Sequence, residues 1–214
     1  MTRATGQGAL LSPDSVLHRA AERLARQFVG MVNEETVERV VFESYTALAR
    51  TAAVQTHLAS LAEKFAQDRL TALAQSKGLI VKQMPEVLFV CVQNSGRSQM
   101  AAALTRQAAG DQVHVRSAGS QPGERILPEV ALVLAEIGLD VTDEFPKPLT
   151  DDVVRAADAV VTMGCGDACP LYPGKRYLDW QLDDPAELDL DGVRRVRDEI
   201  RDRVEQLLGE LTAA

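Results

Sequence analysis

Val87-Leu88-Phe89-Val90 leads directly into Cys91-Val92-Gln93-Asn94-Ser95-Gly96-Arg97-Ser98, and an alanine-rich stretch from Met100 to Ala109 follows. The apolar run fits a strand buried on both faces, because polar alternation disappears when neither face meets water. The alanine-rich stretch fits a helix that opens at Ser98. Backbone N–H groups in a turn that enters a helix converge on one spot and favour a tetrahedral anion. Val92, Gln93, Asn94, Ser95, Gly96 and Arg97 are therefore the expected oxyanion-binding residues. Gly96 permits the backbone geometry, and Arg97 offers a planar fork of donors to two oxygens of one anion. Cys91 faces this positive potential, which favours the nucleophilic thiolate, and Ser98 can donate a hydrogen bond to it. A merely buried core cysteine would leave Gly96, Arg97 and Ser98 unexplained at positions a cradle needs.

Working outward, Val113 to Arg116 reads as a second strand, Val130 to Ile137 as a helix, Ala157 to Thr162 as a third strand and Lys175 to Trp180 as a fourth. A last helix spans roughly 193 to 211. Strands alternating with helices predict an α/β fold, a four-stranded parallel sheet with helices on both faces, whose ligands sit at the carboxyl ends of the strands. Upstream the pattern is helical throughout. Ser12-Pro13 caps and opens a first helix that stops at Gly30. Asn33 caps a second, in which Val37, Val40, Val41, Tyr45 and Leu48 share one face, and Leu58, Leu61, Phe65 and Leu73 do so in a third that ends at Gly78. This predicts a small all-α three-helix bundle over residues 1–82, preceding a catalytic domain over 83–214.

Composition narrows the function. Apolar residues at 46% and charged residues at 25% are ordinary for a globular protein. No signal-like or membrane-spanning run is present, which places the protein in the cytoplasm with no membrane partner. A net charge of -8 speaks against nucleic acid, so any anion site must be locally built. Three cysteines, Cys91, Cys165 and Cys169, are too few for a disulfide framework and point to catalytic or redox use. The histidines, His18, His57 and His114, form no ligand pair, so neither zinc nor another metal is expected. Trp180 reads as core or pocket wall.

The Cys91–Ser98 loop resembles the signature loop of the low-molecular-weight tyrosine phosphatases and of the arsenate reductases that share their fold, and Ser117-Ala118-Gly119 resembles another segment of that family. The resemblance covers about residues 86 to 210 and leaves out the N-terminal helices. It implies that Asp184, in Asp183-Asp184-Pro185, is the general acid. A carboxyl group above an anion-filled cradle is kept protonated by like charge. It also implies that Cys165 and Cys169, in the loop after the third strand, relay a disulfide outward, since reducing As(V) to As(III) takes two electrons. The function implied is arsenate reduction through a Cys91 thiol–arsenate adduct, with no bound cofactor and an external reductant, either thioredoxin or mycothiol with mycoredoxin. Thioredoxin-linked relatives place six residues between the relay cysteines and this chain places three, which leaves the order of the relay and the reductant open. Relatives that bind an alkali cation match at Asn94 and Ser117. Two of their acidic positions are Ala102 and Lys147 here, implying that the Lys147 ammonium replaces the cation and steadies Asn94.

Two rival functions follow from the same residues. A tyrosine phosphatase would use the same cradle on phosphate, but Ala186-Glu187-Leu188 lacks the paired aromatics that line a phosphotyrosine site, and two thiols would stand idle. Weak phosphatase activity is still expected. A non-catalytic sensor of redox state or arsenicals would not need the full set of Cys91, Arg97 and Asp184. The helical bundle shows an apolar face and no chemistry, and could serve a homodimer, dock a reductant or shield the Cys165 loop.

Overall fold

The computed structural model describes residues 12–52, 57–164 and 169–212. Three helices come first: α1 (Pro13–Gln27), α2 (Glu34–Ala49) and α3 (Leu58–Ser76). Their starts follow local chemistry. Ser12 accepts from the Ser15 N–H at 3.3 Å and Asn33 from the Thr36 N–H at 2.9 Å, each satisfying an amide that the helix leaves unpaired. The faces anticipated from spacing bury Leu17, Val37, Val41, Leu58 and Phe65 in one core; Leu70 joins them, whereas Leu73, expected on the same face, lies outside that core. Each large side chain there contributes roughly 1.5–3 kcal/mol by leaving water.

The remainder is β1 (Glu86–Cys91), α4 (Arg97–Ala109), β2 (His114–Gly119), α5 (Pro128–Ala135), α6 (Asp151–Ala156), β3 (Ala159–Met163), β4 (Arg176–Asp179) and α7 (Leu190–Thr212). The four strands form one parallel sheet in the order β2-β1-β3-β4. The chain leaves β1 to one side for β2 and returns to the other side for β3, so the loops diverge above the end of β1 and open a crevice there.

β1 is buried along its whole length, with alternate residues serving different layers. Val87, Phe89 and Cys91 pack with α4, α5 and α7. Leu88 and Val90 pack with α6 and with Ala72 of α3. The helical domain thus supplies part of the layer over one sheet face. Two arginines fasten it: Arg69 reaches Asp152, Ser44 and Glu43 at 2.9, 3.1 and 3.1 Å, and Arg116 joins Glu86 at 2.6 Å to the Asp68 carbonyl at 3.0 Å. No helix among the described residues is long and apolar enough to cross a membrane.

Some boundaries differ from expectation. β2 runs on through Ser117, Ala118 and Gly119, which had been placed after it, because Gly119 continues the ladder with Cys91 and bridges to Pro148. The six-residue α6 was not anticipated, and α4 opens one residue early, at Arg97.

Candidate active site

β1 delivers Cys91 to the carboxyl edge of the sheet, between Gly119 of β2 and Met163 of β3. The following residues turn across the strand end and Arg97 opens α4, so the turn meets a helix N-terminus. The Cys91 residue is 2% exposed, and its sulfur lies 3.1 Å from the Asn94 N–H and 3.0 Å from Ser98 Oγ. Ser98 Oγ accepts from Asn94 Nδ2 at 2.8 Å, which leaves its own hydrogen free to point at the sulfur. Both groups fix the position of the sulfur at the end of β1.

Asn94 holds this arrangement. Its φ of 50° is left-handed, a conformation that asparagine tolerates better than most residues. Its side chain is pinned at both ends, because Oδ1 also accepts from the Lys147 backbone N–H at 2.8 Å and from Gln99 Nε2 at 3.1 Å. The chain after β2 ties down the rest of the turn. Ser120, Gln121, Gly123 and Leu127 donate backbone N–H groups to the carbonyls of Cys91, Val92, Gln93 and Ser95 at 3.1, 2.8, 2.8 and 3.0 Å. A Cβ on Gly96 would stand 3.3 Å from Pro185 Cγ, so glycine lets the acid loop close over the turn.

Arg97 extends along the mouth of the cradle. Its Nη2 donates to Asp184 Oδ2 at 2.8 Å and its Nη1 to the Leu182 carbonyl at 3.3 Å. Asp184 also accepts from the Ala186 N–H at 3.1 Å, which fixes the carboxylate at the start of the turn over Pro185–Glu187. Asp184, not Asp183, is the carboxylate brought to Arg97. A tetrahedral anion placed in the cradle would compete with Asp184 for the same guanidinium.

Two supporting residues act differently from expectation. Lys147 touches Asn94 through its backbone N–H, whereas its ammonium donates to Glu144 Oε2 at 2.8 Å and to the Phe145 carbonyl at 3.2 Å. Burial holds that ammonium below the usual lysine range despite the opposing pull of Glu144. Ser117 is buried, but among the described residues its hydroxyl has no hydrogen-bond partner, so it gives the loop no side-chain support. Gln99 was missed altogether. It is 1% exposed and bridges Asn94 to the Phe145 carbonyl at 3.1 Å each. The one signal was an amide inside an otherwise small and apolar helix.

Of the two thiols expected to form a relay, Cys165 lies outside the described residues. Cys169 is buried in the core that also holds Leu88, Val90 and Val160, with its sulfur 3.9 Å from the Pro170 carbonyl.

Comparison with known proteins agrees with this geometry. Residues 86–214 match the low molecular weight phosphotyrosine protein phosphatase family, and residues 17–74 match a protein-tyrosine-phosphatase-like N-terminal domain. A solved structure described as a thioredoxin-dependent arsenate reductase of Corynebacterium glutamicum is 50% identical. It covers 93% of this chain and 98% of its own, with a TM-score of 0.87. The glutaredoxin arsenate reductase of Synechocystis is 31% identical over 60% of this chain and all of its own length. Arsenate reductase 1 of Staphylococcus epidermidis is 35% identical over 58% and 95%. Because the match over residues 86–214 spans more than half of the chain, the chain belongs to the low-molecular-weight phosphotyrosine protein phosphatase family.

Proposed function

We propose that the protein is an arsenate reductase that works by a cysteine relay and is recycled by an external thiol reductant. The observation that carries this reading is the likeness to the Corynebacterium enzyme, which runs through the helical domain as well as the catalytic one. Arsenate sits against the turn amides and Arg97, displacing Asp184 from the guanidinium. The Cys91 thiolate attacks arsenic, and Asp184 protonates the departing oxygen. Cys165 then attacks the Cys91 sulfur. The S–As electron pair passes to arsenic, arsenite leaves as As(III), and a Cys91–Cys165 disulfide remains. Cys169 attacks Cys165, frees the Cys91 thiolate and leaves a Cys165–Cys169 disulfide for the reductant. Thioredoxin is the first choice of electron donor, in a reducing compartment such as the cytoplasm, with mycothiol and mycoredoxin the other.

The test is arsenate-dependent turnover with thioredoxin and its reductase, with mycothiol and mycoredoxin, and with neither, alongside hydrolysis of p-nitrophenyl phosphate. The reading expects turnover with one reductant, abolished by Cys91→Ser and by Cys165→Ser, and only slow hydrolysis. Fast hydrolysis without arsenate reduction, indifferent to Cys165→Ser, would make the protein a phosphatase instead.

A further inference from the structure

Phe145 belongs to the catalytic domain by sequence, yet its ring lies elsewhere. Among the described residues it is the only buried member of the helical-domain core that follows β1. Lys64 of α3 anchors the same segment by donating to the Asp143 carbonyl at 3.3 Å, and it lies 5.9 Å from the Phe145 ring centroid. The backbone of this segment points back toward the active site. The Phe145 carbonyl accepts from Gln99 Nε2 at 3.1 Å and from Lys147 Nζ at 3.2 Å, and the Lys147 ammonium rests 4.5 Å from the centre of the Phe145 ring. Gln99 and the Lys147 N–H are the two groups that hold Asn94 Oδ1, and Asn94 supplies an N–H to the Cys91 sulfur and an amide to Ser98. Two residues beyond Phe145, the Lys147 carbonyl accepts from the Gly119 N–H at 2.8 Å, so the segment is also stitched to the end of β2.

We propose that Phe145 is a positioning residue, seated in the helical domain, through which that domain fixes Asn94 and hence the geometry around Cys91. Each hydrogen bond on the way from Phe145 to the Cys91 sulfur is direct and buried, and only the Lys64 anchor is exposed. A side chain that moves in the helical core moves the Phe145 carbonyl and the Lys147 N–H, and Asn94 has to hold its left-handed φ without its two partners. Gluing two domains together requires only the ring. It does not require that the same residue's carbonyl and its second neighbour's N–H converge on one amide of the cradle. The proposal rests on the reading of Cys91 as the nucleophile. That reading fails separately, if Cys91→Ser keeps its turnover.

The experiment uses the full chain and two readouts: the rate at which iodoacetamide alkylates Cys91 at fixed pH, followed by peptide mass spectrometry, and kcat for p-nitrophenyl phosphate. Phe145→Ala is expected to lower both by roughly 10- to 100-fold, the scale of a misplaced catalytic group, while Phe145→Leu restores most of the loss. Leu17→Ala weakens the same core from α1 without touching Phe145, and is expected to leave both readouts within about twofold of wild type while lowering the midpoint of denaturation. Wild-type alkylation in a folded Phe145→Ala protein overturns the proposal, as does an equal loss in Leu17→Ala. Should Phe145→Ala not fold, Phe145→Val carries the same comparison, and unchanged alkylation there is equally fatal.

Discussion

A methyl group added at position 119 would sit 2.8 Å from Val92 O and 2.9 Å from Asn94 N. Both are backbone atoms of the turn after Cys91, which is hydrogen-bonded to Ser120, Gln121 and Gly123 directly after position 119, so the turn can back away only by breaking those bonds. Gly119→Ala is therefore expected to cost about 1–3 kcal/mol of stability, as overpacking does, and about 100-fold in kcat/KM by displacing the turn. Urea denaturation and steady-state kinetics read the two effects, and a variant with normal activity would show that the turn is softer than its hydrogen bonds imply. Asp184→Asn probes a different property, the proton. It should slow the arsenate step by about 10²- to 10⁴-fold, the usual worth of a general acid, yet leave alkylation of Cys91 close to wild type. At this scale the sequence was most legible where chemistry demands residue types at fixed spacing within one loop, as at Cys91, Arg97 and Ser98. The contact between Gln99 and the Phe145 carbonyl was not legible, because the two residues are 46 positions apart. Lys147 was singled out for its ammonium, but its backbone makes the contact.

The ion pair between the first two strands extends this logic to elements. Glu86 opens β1 and accepts from Arg116 of β2 at 2.6 Å, and Arg116 continues to the Asp68 carbonyl and to Gln75 Oε1 on α3. The pair therefore ties the sheet to the helical domain. Burial pushes the Glu86 carboxyl up, but the approach of His114 to 3.3 Å and the charge of Arg116 outweigh it and hold the group below the ordinary glutamate range. An acid depressed in this way contributes stability above its unfolded value, about 4.3, and loses that contribution as pH falls through the folded value. Glu86→Gln should cost roughly 3–5 kcal/mol at pH 7, since Arg116 would be left buried without a counter-charge. The gap to wild type should narrow in urea titrations repeated below about pH 4. A gap of constant size would mean that packing, not charge, is what the substitution removes. Helix starts were easily read in these elements, because Ser12 and Asn33 act on amides three residues away. The length of β2 was not, because Ser117 and Gly119 carry no strand signal of their own and are held by neighbours across the sheet.

For the molecule as a whole, the placement of the thiols bears on how electrons leave it. Along β1 the side chains of Val87, Phe89 and Cys91 face α4 and α7, whereas Leu88 and Val90 face the layer in which Cys169 is buried. Cys91 and Cys169 therefore belong to opposite sides of the sheet, and a disulfide forms only when the two Cα atoms come within about 4.4–6.8 Å. An intermediate thiol removes the difficulty, and Cys165 is the remaining one. Stoichiometric arsenate without reductant should then convert the wild-type protein to a Cys165–Cys169 disulfide with Cys91 free. Cys169→Ser should halt at Cys91–Cys165 after releasing one arsenite, and Cys165→Ser should form no Cys91–Cys169 bridge and release no arsenite. Non-reducing peptide mapping distinguishes all three products. A Cys91–Cys169 crosslink in Cys165→Ser would mean that the Cys169 segment swings across the sheet edge unaided, and the relay would shrink to two thiols. If the three-thiol order holds, Cys169 has to leave the core it shares with Leu88 and Val90 once in every turnover, and the rate of that departure sets an upper limit on how fast any reductant can recycle the enzyme.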